Sequence, residues 1–367
     1  MVLERLELTD FRNYATLRLE PRPGLNVLVG ENAQGKSNLL EAVGLLALAR
    51  SERAARDGDL VRWGADEAVV RGEARRAVRG EVSVALVLQR DGAKAMRVDG
   101  QPCRRLADGV GALNVVFFGP RELELVSGGP DARRDFLNTC LGQIDPEYLA
   151  ALAGYRRVLR QRNGLLRAAL QRRLDEDLLL AYDDGLADHA ALIMERRRDR
   201  VRELAEQAAL AHARLCGGRD GLAVSYAPHL DAAGDRAALA NTVRESLIAR
   251  RNEELRRGLT LVGPHRDDLR LTLDGKEARG FASHGQQRSI ALALKVAELR
   301  TVRAALGEPP LLLLDDVLSE LDSHRRGEVL GLVAEAEQVF LTCTDPPSLV
   351  GSVTWRVHAG SVEEAGS

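Results

Sequence analysis

Apolar residues in this chain recur at two spacings, and the spacing changes along its length. Leu3 to Leu8 and Thr16 to Leu19 read as strands around a turn, Asp10-Phe11-Arg12-Asn13-Tyr14. Leu25 to Val29 is a short apolar run, which predicts a buried strand. Asn38 to Ala49 carries Leu39, Leu40, Val43, Leu46 and Leu48 and predicts a mostly apolar helix. Residues 68–118 alternate in several places. Val82, Val84, Leu86 and Leu88 share one face, Val115 to Phe118 form an apolar run, and Asp99-Gly100 predicts a hairpin turn. The first third is thus mainly strands around one buried helix.

From about Asp131 to Leu215 the period is helical. Leu149, Leu152, Tyr155, Leu159 and Arg162 follow it, as do Leu186, His189, Ala190, Ile193 and Arg197. Gly217-Gly218 and Asp220-Gly221 end that stretch. Leu222 to Tyr226 predicts a strand, Arg236 to Arg257 a helix, and Leu269 to Leu273 a strand before the Asp274-Gly275 turn. Phe281 to Arg300 predicts an apolar helix headed by Ser283-His284-Gly285-Gln286-Gln287. Leu311 to Leu314 ends in Asp315-Asp316, the pattern of a buried parallel strand delivering carboxylates at its C-terminal end. A helix and a last strand, Val339 to Thr344, follow. The chain predicts an α/β protein: residues 1–125 plus 220–367 as one domain, residues 126–219 as a mainly helical insert.

Composition narrows the partners. The net charge is −2, so any nucleic-acid surface is a local patch rather than a bulk attraction. Aromatic residues make up 4% of the chain, which argues against stacking platforms for single-stranded bases. Cys103, Cys140, Cys216 and Cys343 form no C-x-x-C pair, against a zinc site or a disulfide framework and in keeping with a reducing cytoplasm. The start lacks the apolar core of a signal peptide, and no apolar run approaches a membrane span. A cytoplasmic protein is expected.

Gly30 to Ser37, Gly-Glu-Asn-Ala-Gln-Gly-Lys-Ser, fits the phosphate-binding pattern G-x-x-x-x-G-K-[ST] between a predicted strand and a predicted helix. Such a loop points backbone N–H groups and a helix N-terminus at phosphate oxygens. Lys36 would reach the β- and γ-phosphates of ATP, and the Ser37 hydroxyl would ligate Mg²⁺. Lysine occurs only at Lys36, Lys94, Lys276 and Lys295, so one of few falls where a compact ammonium is needed. Hydrolysis needs a carboxylate to hold Mg²⁺ and a group to orient the attacking water. Asp315 suits the first role and Asp316 the second, although Asp316 could equally cap a helix.

Ser283-x-Gly285-Gln286 at a helix head resembles the signature motif of ATP-binding-cassette ATPases, and Ser319 to Asp322 resembles their D-loop. Within that superfamily the chain is similar to the RecF family of bacterial recombination-mediator ATPases. The resemblance rests on Asp10 to Tyr14, Gly30 to Asn38, Gly263-Pro264-His265-Arg266-Asp267-Asp268, Ser283 to Arg288 and Leu311 to Asp322. It implies a P-loop ATPase head with a strand-rich N-terminal lobe, and ATP held by Gly30, Asn32, Gly35, Lys36, Ser37 and Asn38. Ser283, Gly285 and Gln286 would reach the γ-phosphate held by a second copy. Arg12 and Arg53 are candidate phosphate contacts, Arg53 by likeness to chromosome-maintenance ATPases; a surface role suits each equally. The implied activity is an ATP-dependent homodimer that binds duplex DNA and single/double-strand junctions with little sequence preference. It would help place the RecA recombinase with RecO and RecR.

Three departures from the cassette pattern imply slow hydrolysis that resets the dimer. Asp316 stands where the family has Glu, Thr342 or Thr344 where it has a switch His, and no Gln suits the Q-loop around residues 114–126. A membrane-transporter ATPase subunit is the alternative. It fits less well, because the helical segment starts early, a strand pair precedes the phosphate loop and the His is absent. A long-coiled-coil ATPase fails on length. Candidate DNA contacts are Arg56, Arg71, Arg75 and Arg76 in the strand-rich part, and Arg156, Arg157 and Arg160 in the insert.

Overall fold

A computed structural model describes residues 1–171, 173–231, 233–320, 323–345 and 351–365. Among them the first strands are β1 (Val2–Phe11), β2 (Tyr14–Leu19), β3 (Gly24–Val29), β4 (Glu67–Arg76), β5 (Gly80–Gln89), β6 (Lys94–Val98), β7 (Gln101–Pro102) and β8 (Val115–Phe118). Later come β9 (Leu222–Ala227), β10 (Asp268–Leu273), β11 (Lys276–Glu277), β12 (Leu311–Asp315), β13 (Gln338–Cys343), β14 (Val353–His358) and β15 (Ser361–Glu364). The helices are α1 (Lys36–Leu48), α2 (Glu124–Ser127), α3 (Pro130–Gly142), α4 (Pro146–Ala169), α5 (Glu176–Cys216), α6 (Arg236–Arg257), α7 (Ala278–Phe281), α8 (His284–Leu306) and α9 (Ser323–Val333).

The chain divides into two compact units: residues 1–122, 214–218 and 291–367 form the first, and residues 123–213 and 219–290 the second. By packing, residues 219–290 therefore go with the helical segment, whereas the pattern of the sequence placed everything from 220 onward with the ATPase head. The reason is visible in the second unit. Leu239, Val243 and Leu247 of α6 join Tyr148, Leu152 and Tyr155 of α4 and Leu186, Ala190 and Ile193 of α5 in one core, and β10 packs on α3.

In the first unit, α1 is apolar nearly all round because it packs on β4 and β5 of one sheet and on β8, β12 and β13 of another. The first sheet runs β2-β1-β4-β5-β6-β7 and is antiparallel. Its buried face carries Leu6 and Leu8 of β1 and Val84, Leu86 and Leu88 of β5, the alternation expected of a sheet with one wet face, and an irregularity between Leu3 and Arg5 lets Leu3 be buried as well. The second sheet runs β15-β14-β3-β13-β12-β8, all parallel except β15 at the edge. Buried from end to end, β12 explains why Leu311 to Leu314 lacks alternation. Register sets Asp315 of β12 beside Thr342 of β13, and Thr342 beside Leu28 of β3, so the C-terminal ends of three parallel strands lie together. The β14–β15 pair is absent from the sequence reading, although Trp355 and Val357 alternate inward as a period-two strand should.

Two arginines of the basic helical segment are interior rather than solvated. Arg162 is fully buried; it donates to Asp183 at 2.6 Å, Glu254 at 2.7 Å and the Thr260 hydroxyl at 2.8 Å. Arg197 donates to Asp267 at 2.9 Å and to the Pro264 carbonyl at 2.8 Å. Asp267 also takes the Tyr226 hydroxyl and the His229 N–H, which fixes the segment Gly263 to Asp268 against α5 and β9. Gly263 has φ of 126°, and a Cβ there would stand 2.3 Å from the Tyr155 hydroxyl oxygen, so only glycine fits. Burial costs such charges several kcal/mol, and the paired carboxylates offset it.

His265 sits in this interior with Tyr155 Oη 2.5 Å from its Nδ1 and the Thr260 carbonyl 3.3 Å from its Nε2. A neutral ring with the proton on Nε2 satisfies both contacts. Burial pushes its pKa down to about 4 from the ordinary 6.5. Above pH 6.5 both folded and unfolded chains hold it neutral. As pH falls toward 4 only the unfolded chain takes up the proton, so stability declines through that window. Urea unfolding at pH 7 and pH 5 should show a stability loss about 2 kcal/mol larger in the wild type than in His265→Gln. Equal losses would place the ring outside the folded core.

Candidate functional site

The Gly30–Ser37 loop joins β3 to α1, as its pattern requires. Gly35 has φ of 118°, and a Cβ there would stand 2.6 Å from both the Asn13 side chain and the Tyr14 hydroxyl. Those two residues brace the loop from the β1–β2 turn. Tyr14 donates to the Gly35 carbonyl at 3.0 Å, and Asn13 donates to the Gln34 carbonyl at 2.9 Å. The Asp10–Tyr14 turn thus has a structural task that its sequence alone did not disclose. Asn32 is exposed on the loop, while Lys36 is nearly buried and donates to the carbonyls of Gly30 at 2.6 Å and Glu31 at 2.8 Å. Its ammonium is therefore held across the loop's mouth by weak acceptors that a phosphate oxygen would outcompete.

The strand ends bring the second half of the site to the first. Ser37 donates to Asp315 Oδ1 at 2.7 Å, and Thr342 donates to the same oxygen at 2.8 Å. Thr342 also accepts the Asp316 N–H at 2.9 Å. Of the two candidates for the switch position, Thr342 is thus the one built into the site; Thr344 is exposed. Asp316 leaves the strand with φ of 54° and is exposed, so the chain turns sharply as it passes the site.

Arg12 and Arg53 meet at Glu41, a carboxylate of α1 with a side chain only 2% exposed. Arg12 spans it with two 2.9 Å hydrogen bonds, Ser51 donates to it at 2.5 Å, and Arg53 approaches to 3.9 Å. Arg53 also donates to Asn38 at 3.4 Å, and Asn38 to Asn13 at 2.8 Å. Arg12, Asn13, Asn38 and Arg53 line a cavity of about 680 Å³ together with Gly58, Asp59, Val61, Trp63, Arg90 and Arg121. Trp63 and Arg121 were not anticipated. Trp63 is 93% exposed, unusual for so large an apolar ring, and composition had pointed away from stacking. Arg121 lies just past β8, where a Q-loop Gln was sought, and donates to the Glu52 carbonyl at 2.6 Å.

The structure therefore gathers Gly30, Gly35, Lys36, Ser37, Asn38, Arg12, Arg53, Asp315 and Asp316 in the first unit. Ser283, Gly285 and Gln286 belong to the second, at the head of α8. There Gln286 N–H donates to Ser283 Oγ at 3.3 Å, and Ser283 N–H donates to Gln286 Oε1 at 2.9 Å. This reciprocal capping box gives the signature-like residues a role in starting the helix. Of the D-loop-like stretch, Leu321 and Asp322 lie outside the described residues.

The family described as RecF/RecN/SMC N terminal domain matches residues 2–354. The DNA replication and repair protein RecF of Symbiobacterium thermophilum is 44% identical over 372 residues, spanning 99% of this chain and 98% of its own. The chain belongs to the RecF family. The solved structure of the recombination mediator protein RecF with ATP, in the RecFOR pathway, is 31% identical with a TM-score of 0.93, covering 100% of this chain and 98% of that one. The Smc head from Pyrococcus furiosus, 16% identical, reaches a TM-score of 0.56 over 99% of this chain and 96% of its own, and shares the fold. As a RecF-family chain it has the α/β ATPase-head architecture of both. Among the described residues, no helix is long and apolar enough to cross a membrane.

The residues fit Mg²⁺. Ser37 and Asp315 offer two hard oxygens in contact, the small protein contribution this ion takes when phosphates and water complete its shell. Among the described residues no group of three or more His, Cys, Asp or Glu could hold a metal by itself. The role of Thr342 can be read from stability alone. Thr342→Val keeps the shape but strips Asp316 N–H of its acceptor, a loss of about 1–3 kcal/mol in urea unfolding. Thr344→Val at the exposed position should stay within about 0.5 kcal/mol. Equal effects would contradict the bridge.

Proposed function

We propose that this chain is an ATP-dependent DNA-binding protein of recombinational and replication-gap repair. Two copies close on ATP, bind duplex DNA and help load the RecA recombinase with RecO and RecR. The observation that carries the reading is the contact of Ser37 with Asp315, which unites the phosphate loop and the acidic strand end in one site. The relatives' names, a DNA replication and repair protein and a recombination mediator with ATP, support the rest. They also withdraw support from the transporter-subunit alternative.

In this reading Lys36 turns from the Gly30 and Glu31 carbonyls to the β- and γ-phosphates. Ser37 and Asp315 would hold Mg²⁺, which would neutralise phosphate charge when bound. Asp316 orients the attacking water. Asn32, Gly35 and Asn38 line the phosphate path, Arg12 and Arg53 flank it, and the exposed indole of Trp63 offers a face to the base. Ser283, Gly285 and Gln286 complete the site of a second copy. Asp316 is shorter than Glu, and Thr342 cannot relay a proton as a His would, so turnover is slow and serves to reset the dimer.

The DNA surface is a set of exposed arginines, and the structure prunes the candidates. Arg76 is removed from it: only 4% exposed, it donates to Glu308 at 2.7 Å and to the carbonyls of Gly111 and Ala112. Arg75 is committed to Glu4 at 2.8 Å, and Arg156 lies 3.8 Å from Asp135. Arg56, Arg71, Arg157 and Arg160 are exposed and remain the stronger contacts.

Anisotropy of labelled duplex over a salt series tests the proposal with ATP, with ADP and without nucleotide. ATP should raise affinity, and log affinity should fall with log salt at about −0.9 per phosphate contacted, more steeply with ATP than without. Sequence should matter little, since phosphate contacts carry no base information. Lys36→Ala should lose the ATP effect and keep the nucleotide-free binding. Equal affinity in all three states would overturn the ATP-assembled clamp.

A further inference from the structure

The head of α8 is held by a residue outside every motif. Gln286, which closes the capping box on Ser283, donates through Nε2 to Asp220 Oδ2 at 3.0 Å. Asp220 stands at the entry to β9. The turn beside it is fixed: Gly221 N–H donates to Asp274 Oδ1 at 2.8 Å, and Asp274 N–H donates to the Gly221 carbonyl at 2.9 Å. Asp220 is thus a half-buried carboxylate in a bend next to the anchored Gly221, hydrogen-bonded to one side-chain amide.

An amide can present either its oxygen or its NH₂ to a given neighbour. The capping box needs the oxygen toward Ser283, because it is the Ser283 N–H that must be accepted. An ionised carboxylate only accepts, so Asp220 can bind only the NH₂ side and fixes the other end as oxygen. The consequence reaches the serine. Ser283 Oγ already accepts from Gln286 N–H, which leaves its own proton directed elsewhere and able to donate to an oxyanion brought to the helix head.

We propose that Asp220 is a positioning residue for the composite nucleotide site. By fixing the Gln286 amide it sets the donor geometry with which Ser283 and the start of α8 receive the γ-phosphate held by a second copy. The inference rests on the ATP-closed dimer proposed above. It adds a residue that acts only on the receiving half of the site.

Sedimentation with ATP and Mg²⁺, with ATP affinity measured in parallel, tests it through mixed copies. Asp220→Asn and Asp220→Ala should bind ATP with wild-type affinity yet dimerise about tenfold more weakly. Asp220→Glu, which keeps an acceptor-only group, should recover part of the loss. Mixed with Lys36→Ala, Asp220→Ala should dimerise as strongly as the wild type does with Lys36→Ala, because its altered helix head then faces only the empty phosphate loop. Mixed with Ser283→Arg, Asp220→Ala should dimerise more weakly than the wild type does, because its helix head then serves the one site with a sound partner. A fold defect would not depend on the partner in this way. If the wild type dimerises and Asp220→Ala does so equally, or if Asp220→Ala falls equally below the wild type with both partners, the positioning role is overturned alone. A wild type that stays monomeric in ATP overturns the dimer reading, and this inference with it.

Discussion

One oxygen, Oδ1 of Asp315, accepts the hydroxyls of Ser37 and Thr342 at 2.7 and 2.8 Å. That convergence requires three parallel strands to end side by side, with Asp315 paired to Thr342 and Thr342 to Leu28. A register slip of one residue in β12 or β13 would turn these side chains to the opposite face and dissolve the site. The leucines of β12 present the same apolar surface in either register, so the slip is opposed at the strand end, where it would pull Asp315 away from Ser37 and Thr342. The chemistry therefore depends on the packing of the parallel sheet more than on the phosphate loop itself.

The antiparallel sheet contributes by a different route. Its β1–β2 turn brings Asn13 and Tyr14 to the Gly30–Ser37 loop and Arg12 to Glu41 of α1, so the strand-rich sheet is tied to the loop and its helix by hydrogen bonds rather than by apolar contact alone. Glu41 is the hub on the other side. Buried on α1 and holding Arg12, Ser51 and Arg53, it sets two guanidiniums at the cavity while compensating part of their charge. A buried carboxylate with these partners is costly to disturb, and removing it would leave both arginines misdirected.

Much of this was legible in the residues. The strand, glycine turn and helix around Lys36 follow from local pattern, as does the acidic end of Leu311 to Leu314. The Asp99-Gly100 and Asp274-Gly275 turns both appear with the positive φ that such pairs favour. What was not legible depends on burial and on distant partners. Arg76, Arg162 and Arg197 look like any surface arginine in a basic stretch, and only Glu308, Glu254 and Asp267, far along the chain, reveal them as interior. Trp63 and Arg121 reach the cavity from segments with no motif. The placement of residues 219–290 with the helical unit turns on side-chain contacts of α6 that periodicity does not report.

The central claim is that Ser37 and Asp315 form one metal-dependent phosphate site. Calorimetric titration of ATP with and without Mg²⁺, in wild type and Asp315→Ala, addresses it directly. Wild-type affinity should fall by roughly tenfold or more when Mg²⁺ is withdrawn, and Asp315→Ala should bind ATP weakly with little response to the metal. An Asp315→Ala protein that keeps the full wild-type dependence on Mg²⁺ would contradict the account.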